Sequence, residues 1–162
     1  MEFRPWTPED AAACLAIFRS NRPEFFAEYE EAEFHAFLEQ PEGPYFVVTA
    51  ANDRVVASGG FVVEPAAGRA SLAWGMVDRA YHRSGFGQFL LIKRLELLLL
   101  EPRVMAIDLD TTQHSAGFFA RLGFAVRRIT PDGYAPGMDR IDMRLSVGDA
   151  DRAALLVRLG AR

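Results

Sequence analysis

The chain has 162 residues, half of them apolar with thirteen Phe, and a formal net charge of −4 with a pI near 5.4. That length favours one domain with a sizeable core. The acidic balance, with no basic block anywhere, argues against nucleic acid as a partner.

The N-terminal MEFRPW reads as a short edge strand and lacks the apolar h-region of a signal peptide. TPED follows, with Thr7 as N-cap, Pro8 at the first helical position and acids in the first turn, so a helix is expected over 8–20. Cys14, the one cysteine, lies on its apolar stripe and reads as a small buried residue rather than a reactive thiol; a disulfide within the chain is excluded. PEFFAEYEEAEFHAFLE (23–39) predicts a second helix, ended by Pro41, Gly43 and Pro44. Strand-like runs follow at 45–50, 54–64 and 70–77, an antiparallel meander in which Gly59-Gly60 suggests a bulge. A helix is expected over 85–101, a buried strand over 104–110 and a short helix over 114–122. Two last strands, 123–130 and 140–147, flank the turn PDGYAPG, and a weakly amphipathic tail helix closes the chain. The most apolar window, 89–100, is broken by Lys93, Arg94 and Glu96 and is too short and too charged to span a bilayer. A cytoplasmic protein, off the membrane, is the expectation. A helix joining strand 70–77 to strand 104–110 implies a right-handed parallel crossover after an antiparallel meander. The fold class is therefore α/β with a mixed sheet of about seven strands and about four helices. Residues 1–147 form one domain in this reading, and 148–162 a helical tail packed on it or on a partner.

YHRSGFGQ (81–88) joins the third meander strand to the helix after it. A glycine-rich turn there is an anion site: the first amides of the helix have no intrahelical partner and the helix dipole favours negative charge. Gly85 and Gly87 let the backbone approach a ligand, and Arg83 and Ser84 add side-chain donors. The stretch is not GxxxxGK[ST], and GFGQFL lacks the third glycine of GxGxxG. By itself it supports a tight turn as well as a phosphate site.

Its surroundings narrow the reading. Five positions after Val77 comes His82-Arg83-Ser84-Gly85-Phe86-Gly87, and DLDTTQHSAGFFARLGF (108–124) supplies a strand, a short Phe-rich helix and a Gly-Phe. Together they resemble the GNAT superfamily of acyl-coenzyme A-dependent N-acyltransferases, whose signature is [Q/R]-x-x-G-x-[G/A] opening a helix five residues after a strand-ending Val. The resemblance covers about 44–147 and implies a GNAT-like fold with acetyl-CoA as co-substrate. It implies that the backbone of Gly75, Met76 and Val77 pairs with the pantetheine arm. It further implies that Arg83, Ser84, Gly85, Phe86, Gly87 and Gln88 wrap the pyrophosphate, with His82 counted among the cofactor-binding residues beside them. Thr112 stands where many members carry a cofactor-touching Asn. His82 replaces the usual Gln or Arg, as a hydrogen-bonding residue or as a surface one.

Transfer to an amine requires removal of a proton from a group whose pKa is near ~10.4, while a thiolate near ~8.5 leaves readily. Many members place a proton-donating Tyr where this chain has Phe119, which then reads as pocket wall beside the cofactor. Tyr134 is the preferred substitute donor, with Tyr81 and His114 as alternatives. Asp108 and Asp110 share one face at the carboxyl end of a strand expected to be parallel, where ligands gather, so they are the candidate bases; a turn or cap role is the alternative. Glu64 or a water relay completes the options. No His/Cys group has metal spacing, so no metal is expected. The expected function is acetyl transfer from acetyl-CoA to the amine of a small molecule or peptide, in a ternary complex. The acceptor would enter between 8–39 and 131–139, whose carboxylates suit a cation. A CoA-binding sensor or interaction module with little catalysis is the alternative, and dimers in the family make a homodimer an option.

Overall fold

The computed structural model describes residues 1–160. The strands are β1 (Glu2–Pro5), β2 (Tyr45–Thr49), β3 (Val55–Glu64), β4 (Arg69–Val77), β5 (Ala106–Thr111), β6 (Ala125–Ala135) and β7 (Met138–Ser146). The helices are α1 (Ala11–Ser20), α2 (Glu30–Glu39), α3 (Phe86–Leu98), α4 (Ala116–Ala120) and α5 (Asp149–Gly160). The strands make one mixed sheet in the order β1-β2-β3-β4-β5-β7-β6. β4 and β5 run parallel, while β1–β2, β2–β3, β5–β7 and β6–β7 are antiparallel. This is the mixed α/β sheet that the order of apolar periods implies. No helix among the described residues is long and apolar enough to cross a membrane.

Contacts divide the chain into two units, Met1–Val62 with Leu72–Leu95, and Val63–Ser71 with the chain from Glu96. In the first, Thr7 starts the α1 segment. The Thr7 amide donates to Asp10 Oδ2 at 2.9 Å, and the Arg4 guanidinium grips both Asp10 oxygens at 2.8 Å. Residues 8–10 form a 3-10 turn before α1, so the α-helix begins at Ala11 rather than at 8. α2 likewise starts at Glu30 and not at 23. Residues 21–25 and 28–29 are turns, and the Glu30 carboxylate takes the Ala27 amide at 2.7 Å, which ties the turn to the first residue of the helix. α1, α2, β2 and β4 bury Cys14, Ile17, Phe18, Phe34, Leu38, Tyr45, Val47 and Met76 together, with Trp74 packed against them. Burial pushes the Cys14 thiol up to about 11, as suits an inert core residue. A second cluster joins Val48, Val56 and Ala57 to Phe86 and Leu90 of α3.

The expected bulge at Gly59-Gly60 is absent from the β2–β3 ladder, which pairs Gly59 with Phe46 and Gly60 with Tyr45; its register shift falls between Val48 and Thr49. Both glycines serve close approach instead. A Cβ on Gly60 would lie 2.3 Å from the Pro44 carbonyl oxygen, and one on Gly59 2.9 Å from Arg94 Nη1.

In the second unit, Arg69–Ser71 pairs in parallel with Ala106–Asp108, and β5 lies antiparallel to β7. The expected turn 131–137 is mostly strand. β6 continues to Ala135 across a register shift, and the chain reverses before Met138, with Gly137 at φ +77°. Asp132 Oδ1 takes the Gly137 amide at 2.6 Å, closing the hairpin where the Pro-Gly content suggested a longer loop. α5 packs on this unit's own core: Leu155 and Leu159 are buried, and Arg152 donates to the carbonyls of Leu99, Glu101 and Val104.

Candidate active site

β4 ends in a distortion. Trp74 has φ +46°, a left-handed conformation that costs a non-glycine residue of order ~1–3 kcal/mol and needs fixing by its surroundings. Two observations supply the fixing. The Trp74 ring packs against Phe34 (centroids 5.0 Å), Phe26 (6.3 Å) and Phe37 (6.3 Å). The buried Tyr45 hydroxyl lies 3.0 Å from the Trp74 carbonyl oxygen and 3.1 Å from Ser58 Oγ. Its one proton goes to the carbonyl, which can only accept, so the Ser58 hydroxyl donates to Tyr45. Burial pushes the Tyr45 phenol well above its ordinary value, so it stays protonated for this bond. Next to this anchored residue, Gly75 is exposed on an otherwise largely covered strand. Met76 is buried among the core aromatics.

The chain then turns. The Val77 carbonyl accepts from Asn21 Nδ2 at 2.8 Å and lies 3.0 Å from His82 Nε2, which must carry the proton. His82 thus has a structural partner, and its ring meets Phe25 edge-on at 5.4 Å. Asp78 caps the 3-10 turn Arg79–Tyr81 by accepting the Ala80 amide at 2.9 Å. Arg83 (φ +60°) and Gly85 (φ +85°) are both left-handed, and with Ser84 they are exposed. A Cβ on Gly85 would meet nothing nearer than Met1 Cε at 3.7 Å, so conformation and not crowding selects glycine there. α3 opens at Phe86, and the Phe89 amide makes the first helical bond, to Gly85 O at 2.9 Å. The preceding amides of that turn are the helix's orphan donors. Phe86 is buried and pins the helix to the core with Leu90. The expected cofactor residues 75–77 and 82–88 therefore lie together in one unit, as a strand end exposed at Gly75 followed by a strained, amide-rich turn.

Arg94 lies outside the motifs that point to the site. It is 3 % exposed on α3. Its Nη1 donates to Gly60 O at 3.2 Å and its Nε to Leu90 O at 3.4 Å. A Cβ on Gly75 would lie 2.9 Å from its Nη2, so the guanidinium fills the space left by two glycines, 59 and 75. Burial lowers its pKa to about 10, which leaves it a cation at neutral pH. The signal was present: an arginine inside the run FLLIKRLELLLL, on a helix otherwise buried at Leu90, Leu91, Leu95 and Leu98.

In the second unit Arg144 forks Asp108, Nε to Oδ1 at 2.6 Å and Nη2 to Oδ2 at 2.8 Å, so both carboxylate oxygens are engaged. Asp110 accepts a hydrogen bond from the Tyr134 hydroxyl and has Arg140 Nη2 at 3.6 Å. The two residues singled out as base and donor thus meet each other across the sheet. Thr112 is buried at the end of β5, where its Oγ1 takes the His114 amide at 3.3 Å. Phe119 is half-buried, its ring against Phe118 (5.0 Å) and Phe124 (5.8 Å). Among the described residues no group of three His, Cys, Asp or Glu is placed to hold a metal ion.

On the α2 side of the first unit lies a cavity of about 400 Å³, lined by Glu33, Ala36, Phe37, Gln40, Glu42, Val62, Ala73 and Trp74. Two carboxylates and two aromatic rings in one wall suit a cation with an apolar body.

The architecture is shared with solved N-acetyltransferases. The ribosomal-protein-S18-alanine N-acetyltransferase of Escherichia coli superposes with a TM-score of 0.74 at 23% identity, covering 91% of this chain and 94% of that one. A GCN5-related N-acetyltransferase from Kribbella flavida gives 0.73 at 20%, over 90% and 96%. An aminoglycoside 6'-N-acetyltransferase complexed with coenzyme A gives 0.69 at 16%, over 91% and 97%. At these identities the likeness shows the fold. No curated protein matches the sequence. The sequence profile of the Acetyltransferase (GNAT) family, however, matches residues 13–124, which span β4, the turn after it, α3, β5 and α4. With that match the chain belongs to the acetyltransferase (GNAT) family, a family of acyltransferases.

Proposed function

We propose that the protein moves an acetyl group from acetyl-CoA to the amine of a small molecule or peptide, by direct attack in a ternary complex. The observation that carries this reading is the turn Arg83–Gln88. It has two left-handed residues, exposed Arg83 and Ser84, and the first amides of α3 at the carboxyl end of β4. That is a cradle for a pyrophosphate. The pantetheine arm would run back from it along Val77 and Met76 to Gly75, the exposed residue near the end of β4. The CoA-bound aminoglycoside 6'-N-acetyltransferase among the structural relatives supports CoA as the ligand class.

The acceptor enters by the α2 cavity, where Glu33 and Glu42 attract a cationic amine and Phe37 and Trp74 hold its apolar part. Asp110 and Tyr134 are the proton-handling pair. Asp110 takes the amine proton by way of the Tyr134 phenol, which passes its own hydroxyl proton to the carboxylate and is refilled from the amine, or by way of water. Asp108, held in a fork by Arg144, keeps a structural role. Phe119 at the usual Tyr position favours one second reading, a CoA-binding module with little catalysis.

Thiol release from acetyl-CoA, followed against polyamines, aminoglycosides, small amines and peptides with free N-termini, decides between the two. Turnover on a cationic amine, reduced about 10²-fold or more in Asp110→Asn, is expected. Saturable CoA binding with no turnover on any acceptor establishes the module.

A further inference from the structure

Arg94 is a buried cation without a buried anion. Among the described residues its polar contacts are two backbone carbonyls, Gly60 O and Leu90 O, and no carboxylate pairs with it. The titratable group felt at Arg94 is Tyr45 of β2, which in turn feels Cys14 of α1. Burial keeps both in their neutral, protonated forms, so neither neutralises the guanidinium. An uncompensated buried charge is costly, and an apolar side chain of similar length would fill the space beside Gly59 and Gly75 without that cost. The retained charge calls for an anion that arrives with a ligand.

The place of arrival is given by Gly75. The strand is exposed there, and Nη2 of Arg94 lies within 2.9 Å of the Cβ position that this glycine leaves open. Any other residue would push a side chain against the guanidinium, so the glycine is what lets Arg94 lie directly against the exposed strand. On the reading above, the pyrophosphate sits at Arg83–Gln88 and the pantetheine arm runs back along β4, so the sulfur end of CoA is the end that reaches Gly75. In the transfer, the amine nitrogen bonds to the acyl carbon, the carbon–sulfur bond breaks, and its electron pair leaves on sulfur; the displaced N–H proton goes to the base or to water. With a phenylalanine at position 119, the usual proton for that sulfur is missing.

We propose that Arg94 is the binding partner of the CoA thiolate, holding the departing sulfur as an anion at the Gly75 end of β4. This assignment rests on the CoA reading of the preceding section. It replaces proton donation to sulfur with a fixed charge, available without any rearrangement of the site.

The test is calorimetric titration of the protein with CoA and with desulfo-CoA, the analogue lacking the sulfur, at pH 7.0 in buffers of different ionisation enthalpy. A free thiol with pKa ~8.5 is about 3 % ionised there. Paired with Arg94, the bound thiol ionises, so CoA is expected to release about half a proton or more in excess of desulfo-CoA, as a cation partner requires. Arg94→Met should abolish that difference and Arg94→Lys should keep part of it. Gly75→Ala, which pushes a methyl against Nη2, should diminish it and serves where Arg94→Met does not fold. Equal proton release by the two ligands in the unaltered protein overturns the proposal. So does a difference that survives unchanged in Arg94→Met or, failing that variant, in Gly75→Ala. Failure of both ligands to bind sinks the CoA reading instead, and is told apart by the desulfo-CoA titration alone.

Discussion

Tyr45 acts on the proposed site from within the core. Its hydroxyl holds the carbonyl of a left-handed Trp74, and that conformation leaves Gly75 open on the strand. Tyr45→Phe removes the donor and leaves a covered carbonyl unsatisfied, at a cost of about 1–3 kcal/mol. Urea unfolding should read that loss, and CoA affinity should fall with it, because the strand end is no longer fixed. An unchanged affinity with lowered stability would separate the Trp74 conformation from ligand binding. Arg94 and Tyr45 were both visible as letters and invisible as partners. An arginine in a leucine-rich helix excludes a membrane span, but what it faces depends on Gly59 and Gly75, thirty-five and nineteen positions away. The conformation of Gly85, in contrast, is legible locally, since a turn between a strand end and a helix start selects glycine, and its φ is +85°.

At the scale of elements, the starts of the helices carry the clearest physical signals. Asp10 accepts the Thr7 amide and the Arg4 fork, and this hydrogen-bonded guanidinium holds its carboxyl below the usual carboxylate range. A lowered folded-state pKa contributes stability that is present above the unfolded value of ~3.9 and is lost as pH falls through the folded one. Asp10→Ala should therefore destabilise by about 1–3 kcal/mol at pH 7. The gap to the unaltered protein in urea midpoint should narrow as pH drops below that of an ordinary carboxylate. A gap independent of pH would place the stabilisation in packing rather than charge. At the other end of the chain, Arg152 ties α5 to three carbonyls. Arg152→Ala should raise amide hydrogen exchange across α5 selectively, and a uniform rise would show that the helix unfolds only with the whole protein. The type and order of these elements followed from apolar period and from proline and glycine punctuation. Their ends did not. α2 begins seven residues late, after turns in which Glu30 holds the Ala27 amide, and β6 passes Pro131 and Gly133 across a register shift before pairing with β7 resumes at Ala135. Both are long-range or side-chain facts that local propensity does not encode.

At the scale of the whole molecule, family and fold stand on agreement between a turn, a Phe-rich helix and a strand order, each weak alone. Most of the proposed cofactor half of the site is written in a continuous stretch, 75–88, which lies in one unit, while Thr112 and Phe119 lie in the other. The catalytic half is not. Asp110 and Tyr134 are twenty-four positions apart and meet through a β5–β7–β6 arrangement that no local pattern announces. The central claim is that the Arg83–Gln88 turn binds acetyl-CoA, and calorimetric titration of acetyl-CoA into the unaltered protein and into Gly85→Val tests it. A β-branched residue at φ +85° is strained by about 1–2 kcal/mol or more, so one-to-one binding should weaken at least about tenfold in the variant while its unfolding stays cooperative. No binding to the unaltered protein, or equal affinity in the two, would contradict the account.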